Sequence, residues 1–365
     1  MKYWKGYLTA GIFLACNWAL SAFAKGHTVL MDMIYPYVTR MAQGFLSSWS
    51  SNDIDFCLWQ ALVFVLVALV LTTAVFMLLF KWNPIRWGGW VCAVLAILFF
   101  LNTCIFGLNK YSGSLAEDIR LDETPYDISE LEDAAIYYRD QANALSDRIN
   151  RESNGDVIFG EFKELANQAP QGFEVLVYDE SLAVFAVPME PVKELGWANR
   201  YTRRGVTGVT VGLTGEAAVN PQTPAVMLPF AMCREMAHRG SIVVERDAAF
   251  AAYLACVSNP DLRFQYSGSL MAYRYCLKAL EALEEVSESG VVDEIRDGES
   301  FDVNRDLKQC DEFLGDKERE DAKAYDLLTC WHIQEVVLPS LVEEESTFDP
   351  MDKSQVDLSG HPNAA

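Results

Sequence analysis

The segment Arg234-Glu235-Met236-Ala237-His238 has the spacing of a zinc-peptidase motif in which one metal ligand is replaced. In the intact motif, His-Glu-x-x-His, two imidazoles one helical turn apart bind zinc, and the glutamate between them acts as a general base. Here the glutamate and the second histidine are present, but Arg234 occupies the first ligand position. A guanidinium stays protonated at physiological pH and has only hydrogen-bond donors, so it cannot coordinate a cation. The motif therefore predicts a peptidase-like pocket with an incomplete ligand set.

The sequence around the motif predicts the elements that would position it. Pro229 suits the first turn of a helix, and Gly240 suits the end of that helix. Arg234 and His238 are four residues apart, so they share one helix face. Upstream, residues 205–214 alternate β-branched and small residues, which is typical of a strand. Such a strand beside the motif helix could align an extended peptide along its edge.

Periodicity in the rest of the chain predicts a mostly helical α+β protein. Apolar residues recur at helical spacing in several segments, and one segment rich in Val and Phe suggests strands. The predicted elements are helices at 127–151, 161–168, 243–254, 267–286 and 319–342, a strand pair within 172–188, a polar linker at 109–124 and an acidic loop at 285–300.

The charge distribution divides the chain into two parts. The formal net charge of −22 excludes general nucleic-acid affinity, because phosphate backbones select for basic surfaces. Residues 1–109 contain six of the 29 basic residues but only three of the 51 acidic ones. An apolar, slightly basic first part is thus followed by an acidic body, and the two parts should lie in different solvents.

The apolar part contains three stretches close to the roughly 20 residues that a membrane-spanning helix needs. These stretches are residues 6–24, 57–80 and 87–108. The first stretch has an alternative interpretation as a secretory signal peptide with a cleavage site at residues 22–24. An uncleaved helix is favoured because two further spans follow it.

The positions of the basic residues predict the orientation in the membrane. Lys2 and Lys5 precede the first span, and Lys81 and Arg86 lie in the turn between the second and third spans. Basic residues favour the cytoplasmic side, so an outer loop at 25–56 and the body after the third span should be extracytoplasmic. The expected organisation is a membrane domain at 1–109, an extracytoplasmic domain at 110–345 and a disordered tail at 346–365.

An ordered series of short matches gives the chain a resemblance to a known family. The matching segments are Gly215 to Asn220, Pro229-Phe230, Glu235 to His238, Glu245 to Phe250 and Tyr266-Ser267-Gly268. The chain resembles an uncharacterised family of bacterial membrane proteins with three N-terminal spans and a zincin-like metallopeptidase domain of the gluzincin type. The resemblance covers nearly the whole chain.

The resemblance assigns roles to particular residues. In such domains a glutamate on the helix after the motif is the third zinc ligand, which implies Glu245, with Asp247 as the fallback. Glu235 would be the general base and His238 a ligand. The family places a polar residue where this chain has Ala249, which is a second departure from the pattern.

Further side chains could either line the cleft or serve as ordinary structural residues. Glu216 and Asn220 could line the cleft, although a solvated loop position is an equally simple account of Glu216. Tyr273 and Tyr275 could line it or pack in the core. Cys233, on the motif helix, and His332, on the last helix, could supply a replacement zinc ligand.

Two functional interpretations follow. In the favoured one the protein is a catalytically inactive pseudopeptidase without a cofactor, in which Arg234 replaces the charge of the metal and bridges Glu235 to Glu245 or Asp247. It would then bind a peptide or an envelope protein, or act as a scaffold, with membrane lipid around its spans. The alternative is an active membrane-tethered zinc peptidase with non-standard ligands.

The cysteines after residue 109 are predicted to be mainly structural. Five lie there, without CxxC spacing, so no cysteine zinc site is expected. Free buried thiols are expected, and a Cys310–Cys330 disulfide is the alternative.

Overall fold

A computed structural model describes residues 4–51, 56–178, 180–283, 290–315 and 323–339 of the chain. The described part is mostly helical with one small sheet, so the predicted helical character is confirmed at this level. The predicted tail at 346–365 lies outside the described residues.

Three N-terminal helices are long and apolar enough to cross a membrane, as predicted. They are α1 (Lys5–Gly26), α3 (Leu58–Leu79) and α4 (Pro84–Ile105), each of 22 residues. Helix α1 packs along α4 at two glycines: a Cβ at Gly6 would lie 2.3 Å from the carbonyl carbon of Gly89. The close approach of these backbones is typical of helix packing in lipid, where small residues form the interface. The chain therefore has the features of a membrane protein.

The segment between the first two spans was expected to be an outer loop, and the structure corrects this. Residues Thr28–Ser51 form a 24-residue helix, α2. Its apolar residues recur at helical spacing but never form a long uninterrupted run, so a search for membrane spans does not detect it. Pro36 lies inside this helix.

The body after α4 is built from further helices around one core. They are a 3₁₀ turn (Gly107–Tyr111), α5 (Leu115–Ile119), α6 (Ile128–Ser146), α7 (Phe162–Gln168), α8 (Pro170–Leu176), a kinked 3₁₀ segment (Glu180–Phe185), α9 (Ala198–Thr202), a 3₁₀ turn (Ala225–Met227), α10 (Leu228–Arg239), α11 (Glu245–Ser258), α12 (Leu262–Glu281), α13 (Val291–Asp297), α14 (Phe301–Leu314), α15 (Ala324–Trp331) and a π-helical turn (His332–Val337). The predicted helices near 127–151, 161–168, 243–254 and 267–286 are all present.

Three irregular or strand predictions were wrong. Within 172–188, residues 172–176 and 180–185 are helical and the described residues form no strand pair, because Pro170 begins α8 and Phe173 and Leu176 are buried at helical spacing. The linker at 109–124 contains α5, whose apolar residues enter the core. The expected loop at 285–300 contains α13, while its residues 285–289 lie outside the described part.

The sheet has three short strands in the order β1-β3-β2. They are β1 (Lys193–Glu194), β2 (Gly208–Val211) and β3 (Glu216–Val219). Strand β3 pairs in parallel with β1 and antiparallel with β2. Strand β2 lies within the predicted 205–214 segment and is an edge strand. Strand β3 corrects the expectation that Glu216 lies in a loop.

Helices α10, α11 and α12 form the centre of the core. Helix α10 begins and ends where its proline and glycine predict, with Pro229 in its first turn and Gly240 as its C-cap. Helix α8 packs closely on α11 at Gly172, where a Cβ would lie 1.9 Å from the carbonyl oxygen of Ala255. All but one of the residues of α10 are buried, so the motif lies on a rigid element.

Candidate functional site

A cavity of about 610 Å³ lies between α10 and the edge strand β2. Its lining includes Tyr201, Arg204, Thr207, Gly208, Thr210, Phe230, Arg234, Glu235, His238, Glu245, Met271 and Tyr275. Phe106, the residue directly after α4, also lines it. The cavity therefore lies beside the end of a candidate membrane span.

Arg234 points into this cavity and pairs with the adjacent acid. Its Nη2 donates to Oε1 of Glu235 at 3.2 Å and to Oγ1 of Thr207 at 2.6 Å. Burial alone would lower the pKa of Arg234, but the carboxylates of Glu235 and Glu245 outweigh it and raise the pKa. The guanidinium therefore supplies a fixed positive charge within the acidic part of the cavity.

The second carboxylate oxygen of Glu235 is bound by the edge strand. The hydroxyl of Thr210 donates to Glu235 Oε2 at 2.8 Å. Gly208 permits this approach, because a Cβ there would lie 2.4 Å from Cγ of Glu235. Both oxygens of Glu235 are thus engaged, one by a cation and one by a hydroxyl.

His238 and Glu245 form the other half of the cluster. His238 Nδ1 lies 2.9 Å from the carbonyl oxygen of Ile242, which only accepts, so Nδ1 carries a hydrogen. Nε2 faces Glu245 Oε2 at 3.5 Å. Burial acts to lower the pKa of His238, but the hydrogen bond to Glu245 and the charges of Glu235 and Glu245 outweigh it and raise the pKa. With His238 protonated, two cations and two carboxylates balance.

We call Arg234, Glu235, His238 and Glu245 the charge cluster. Its arrangement meets part of the requirement for zinc. Two ligand atoms about 2.1 Å from a tetrahedral zinc are roughly 3.4 Å apart, close to the 3.5 Å between His238 Nε2 and Glu245 Oε2. The backbone bond at Nδ1 is also the support that a zinc-binding imidazole normally has.

The described residues that line the cavity supply no third zinc ligand beside His238 and Glu245. Among the described residues, no group of three His, Cys, Asp or Glu side chains could hold a metal ion. Cys233 is buried in the core and does not line the cavity. His332 packs against the ring of Tyr137, with ring centroids 4.8 Å apart. The residues present therefore do not fit a catalytic zinc site.

The structure places three other predicted site residues away from the cavity. Asp247 Oδ2 accepts from the backbone N–H of Leu115 at 3.1 Å, so of the two acids considered only Glu245 faces His238. Asn220 Nδ2 donates to Oγ1 of Thr202, the last residue of α9, at 2.9 Å. Neither Asp247 nor Asn220 is among the residues that line the cavity.

Glu216 is also outside the cavity, and it is not solvated. Its carboxylate accepts from the backbone N–H groups of Leu58, at 2.7 Å, and Trp59, at 2.8 Å, the first two residues of α3. Lys193 Nζ donates to the same carboxylate at 2.8 Å. Glu216 therefore connects the sheet to the start of a candidate membrane span.

The sequence alone did not indicate the residues that hold Arg234 and Glu235 in place, which are Thr207 for Arg234 and Thr210 for Glu235. Thr207 and Thr210 belong to the 205–214 segment, whose alternation of Thr and Gly predicts a strand but no contact with the motif helix. Thr facing the motif helix and Gly at the closest approach explain that alternation. Tyr275 lines the cavity, whereas Tyr273 binds Glu299 elsewhere.

The nine cysteines are free in the structure. The five after residue 109 are buried free thiols, as the sequence predicts, and Cys310 and Cys330 are not bonded to each other.

Comparison with known proteins found one family. A family model described as "Protein of unknown function (DUF3810)" matches residues 31–328, from α2 into α15. No curated protein and no solved structure matches the chain.

Proposed function

We propose that this chain, which belongs to the DUF3810 family of proteins of unknown function, is a membrane-anchored pseudopeptidase. On this proposal the body is an extracytoplasmic zincin-like domain whose cleft binds and does not hydrolyse. Arg234 replaces the charge of the metal in that cleft. The ligand is an extended peptide or an envelope protein.

The pairing of Arg234 with Glu235 is the observation that carries the proposal. A general base must reach the proton that it removes. Glu235 instead has one oxygen on Arg234, at 3.2 Å, and the other on Thr210, at 2.8 Å. The charge of Glu235 is thereby compensated by Arg234, a side chain that cannot itself coordinate a metal ion.

The persistence of the acids has a physical explanation under the same proposal. The buried carboxylate of Glu235, with the partly exposed carboxylate of Glu245 near it, would be costly without a counter-charge. Glu235 is paired with Arg234, and Glu245 with His238, so the cluster is compensated by side chains alone. The fold can therefore be stable with the cleft retained and the metal absent.

The edge strand supports peptide binding in the cleft. Residues 206–210 line the cavity, and among the described strands β2 is paired on only one side. An extended peptide could add to that free edge, with backbone hydrogen bonds supplying affinity and the cavity selecting side chains. A volume of about 610 Å³ is large enough for several side chains.

The metal content of the full-length protein tests the proposal. After purification in zinc-containing buffer and dialysis against a weak chelator, elemental analysis should find far less than one zinc per chain. One tightly held zinc per chain would overturn the replacement of metal by Arg234.

The rival function is an active zinc peptidase with non-standard ligands, and the 3.5 Å spacing of His238 and Glu245 favours it. Cleavage of a peptide library with zinc added, repeated with Glu235→Gln, separates the two functions. We expect the same background in both proteins. Turnover that is present in the natural chain and lost in Glu235→Gln would show that the protein is an enzyme.

A further inference from the structure

Helix α2 has its polar side inside and its apolar side outside. Thr39, Gln43, Ser47 and Ser50 are fully buried against the rest of the protein. Every fourth residue on the other side is apolar and exposed by between 64 % and 78 %. These residues, which we call the apolar stripe, are Val29, Met33, Tyr37, Met41, Phe45 and Trp49.

The polar side of α2 is used for contacts within the protein. Asp32 accepts from the backbone N–H of Gly113 at 2.9 Å. Gln43 Nε2 donates to the carbonyl of Gly212 at 2.8 Å, and Ser47 donates to Glu190 at 2.7 Å. The orientation of α2 about its own axis is therefore fixed by hydrogen bonds, and the outward position of the apolar stripe is a built feature.

The chain on either side of α2 limits its tilt. Helix α1 ends at Gly26, and α3 begins at Leu58. If both are membrane spans, the two ends of α2 start from the same face of the membrane. A 24-residue helix is about 36 Å long, whereas the seven steps from residue 51 to residue 58 reach at most about 25 Å. Helix α2 therefore cannot stand upright on the membrane and must be tilted by more than about 45° from the membrane normal.

We propose that α2 is an interfacial helix whose apolar stripe lies in the membrane surface beside the three spans. The stripe contains no charge, and Tyr37, Phe45 and Trp49 are the residue types that favour the boundary between headgroups and acyl chains. An ordinary interfacial helix turns its polar face to water, but here that face binds the protein's own body. The occupant of the stripe is thus lipid, in continuity with the lipid around α1 and α3.

The position of α2 brings the membrane surface close to the cavity. Arg40 Nε donates to the carbonyl of Gly240, at the end of α10, at 3.1 Å. Gln43 binds Gly212, directly after β2. Helix α2 therefore holds the ends of both elements that form the cavity walls. This inference does not depend on the proposed loss of catalysis, because it rests on different residues.

Photo-crosslinking of the full-length protein tests the lipid contact. The photoreactive amino acid p-benzoylphenylalanine would replace, one at a time, Phe45 in the stripe, Phe64 in α3 and Phe301 in α14. All three phenylalanines are well exposed, at 74 %, 65 % and 82 %. The protein would be irradiated in vesicles of phosphatidylethanolamine and phosphatidylglycerol and analysed by intact mass spectrometry.

We expect a phospholipid adduct at position 45 comparable to that at position 64. The yield at both should exceed that at position 301 by about tenfold or more, since only they contact acyl chains. A crosslink from position 45 to a second copy of the chain would instead make the stripe a dimer interface and overturn the inference. So would a lipid adduct at position 64 with none at position 45.

Discussion

The side chain at position 234 decides whether this cleft can hold a metal. Arg234 lies one helical turn from His238 and contributes a charge to the cluster but no ligand atom. A histidine at the same place would add a nitrogen donor on the same helix face as His238. Together with Glu245, it would complete the three protein ligands that a catalytic zinc site needs.

We therefore expect Arg234→His to raise zinc affinity by about tenfold or more, because it changes two donors to three. Competition with a chromophoric chelator measures the affinity. Arg234→Gln is the matched control, since it removes the charge and adds no zinc ligand of comparable strength. Equal zinc binding by the two variants would mean that loss of the positive charge, and not the added ligand, determines affinity. No gain in Arg234→His would mean that the cleft geometry no longer suits a metal.

His238 predicts a pH dependence of stability. Its pKa is raised despite burial, mainly through Glu245, so the folded protein binds this proton more tightly than the unfolded chain does. The stabilisation is then fully present below the ordinary histidine pKa of about 6.5 and is lost as pH rises through the raised value. In chelator-containing buffer, the melting temperature of the natural protein should exceed that of His238→Gln more at pH 6 than at pH 9.

His332 provides a control of opposite sign. Burial lowers its pKa, with Asp133 opposing only in part, so its contribution to stability should increase as pH rises. As pH rises from 6 to 9, the difference in melting temperature between the natural protein and His332→Gln should therefore increase, while the difference between the natural protein and His238→Gln should decrease. Parallel slopes for the two variants would contradict the charge assigned to His238.

At the scale of elements, the contact between β2 and α10 depends on one glycine. A Cβ at Gly208 would lie 2.4 Å from Cγ and 2.7 Å from Cδ of Glu235, so Gly208→Ala must move the strand or the acid. We expect a loss of about 1–3 kcal/mol in the free energy of unfolding, the usual cost of overpacking. Gly44→Ala is the control, because nothing lies within 4 Å of the added carbon and alanine favours a helix. Thermal melting should show a lower melting temperature for Gly208→Ala and an equal or higher one for Gly44→Ala than for the natural protein.

The connection between the sheet and α3 depends on Glu216. Its carboxylate receives hydrogen bonds from the first turn of α3 and from Lys193, and its side chain has no exposure. Glu216→Gln should cost about 3–5 kcal/mol, because it leaves a buried ammonium without its partner. Adding Lys193→Met should recover part of the loss. If Glu216→Gln melts like Glu194→Gln at the neighbouring exposed position, the buried pair does not connect the two regions.

The elements that the sequence predicted correctly are those with strong local signals. The three spans are visible as uninterrupted apolar runs, and α10 is bounded by Pro229 and Gly240. Residues 172–188 were assigned wrongly, since a short run of Val and Phe suits a buried helix as well as a strand. Helix α2 was overlooked for another reason: which of its sides is covered depends on partners such as Gly212 and Gly240, far away in the chain.

The same division applies to the candidate site. Arg234, Glu235 and His238 share one helical turn, so local spacing brings these three together, whereas Glu245 was implied only by the resemblance to the family. Their roles in chemistry stay predictions. Glu216 shows where local information ends: a glutamate within Gly-Glu-Ala looks like a surface residue until α3 and Lys193 are placed beside it.

At the scale of the whole molecule, the basic residues predict which side of the membrane the cavity faces. Lys2 and Lys5 precede α1, and Lys81 and Arg86 lie at the turn between α3 and α4. The positive-inside rule puts both groups in the cytoplasm, which leaves α2 and the body on the other face. Glu216 and Arg40 hold the body against that face, so the cavity should open outside the cell beside the lipid.

Reporter fusions in a bacterial host test this topology. Alkaline phosphatase needs disulfides and is active only outside the cytoplasm, so a fusion after Ala365 should be active. Green fluorescent protein at the same place should be dark. A chain truncated after Trp82 should give the reverse pattern, since it ends at the cytoplasmic turn. Fluorescence from the full-length fusion would show that the orientation is the reverse of the predicted one and that the cavity lies in the reducing cytoplasm. The five buried free thiols of the body would then lie in the cytosol, where cysteines are usually kept reduced. A peptide from the cell envelope could no longer be the ligand.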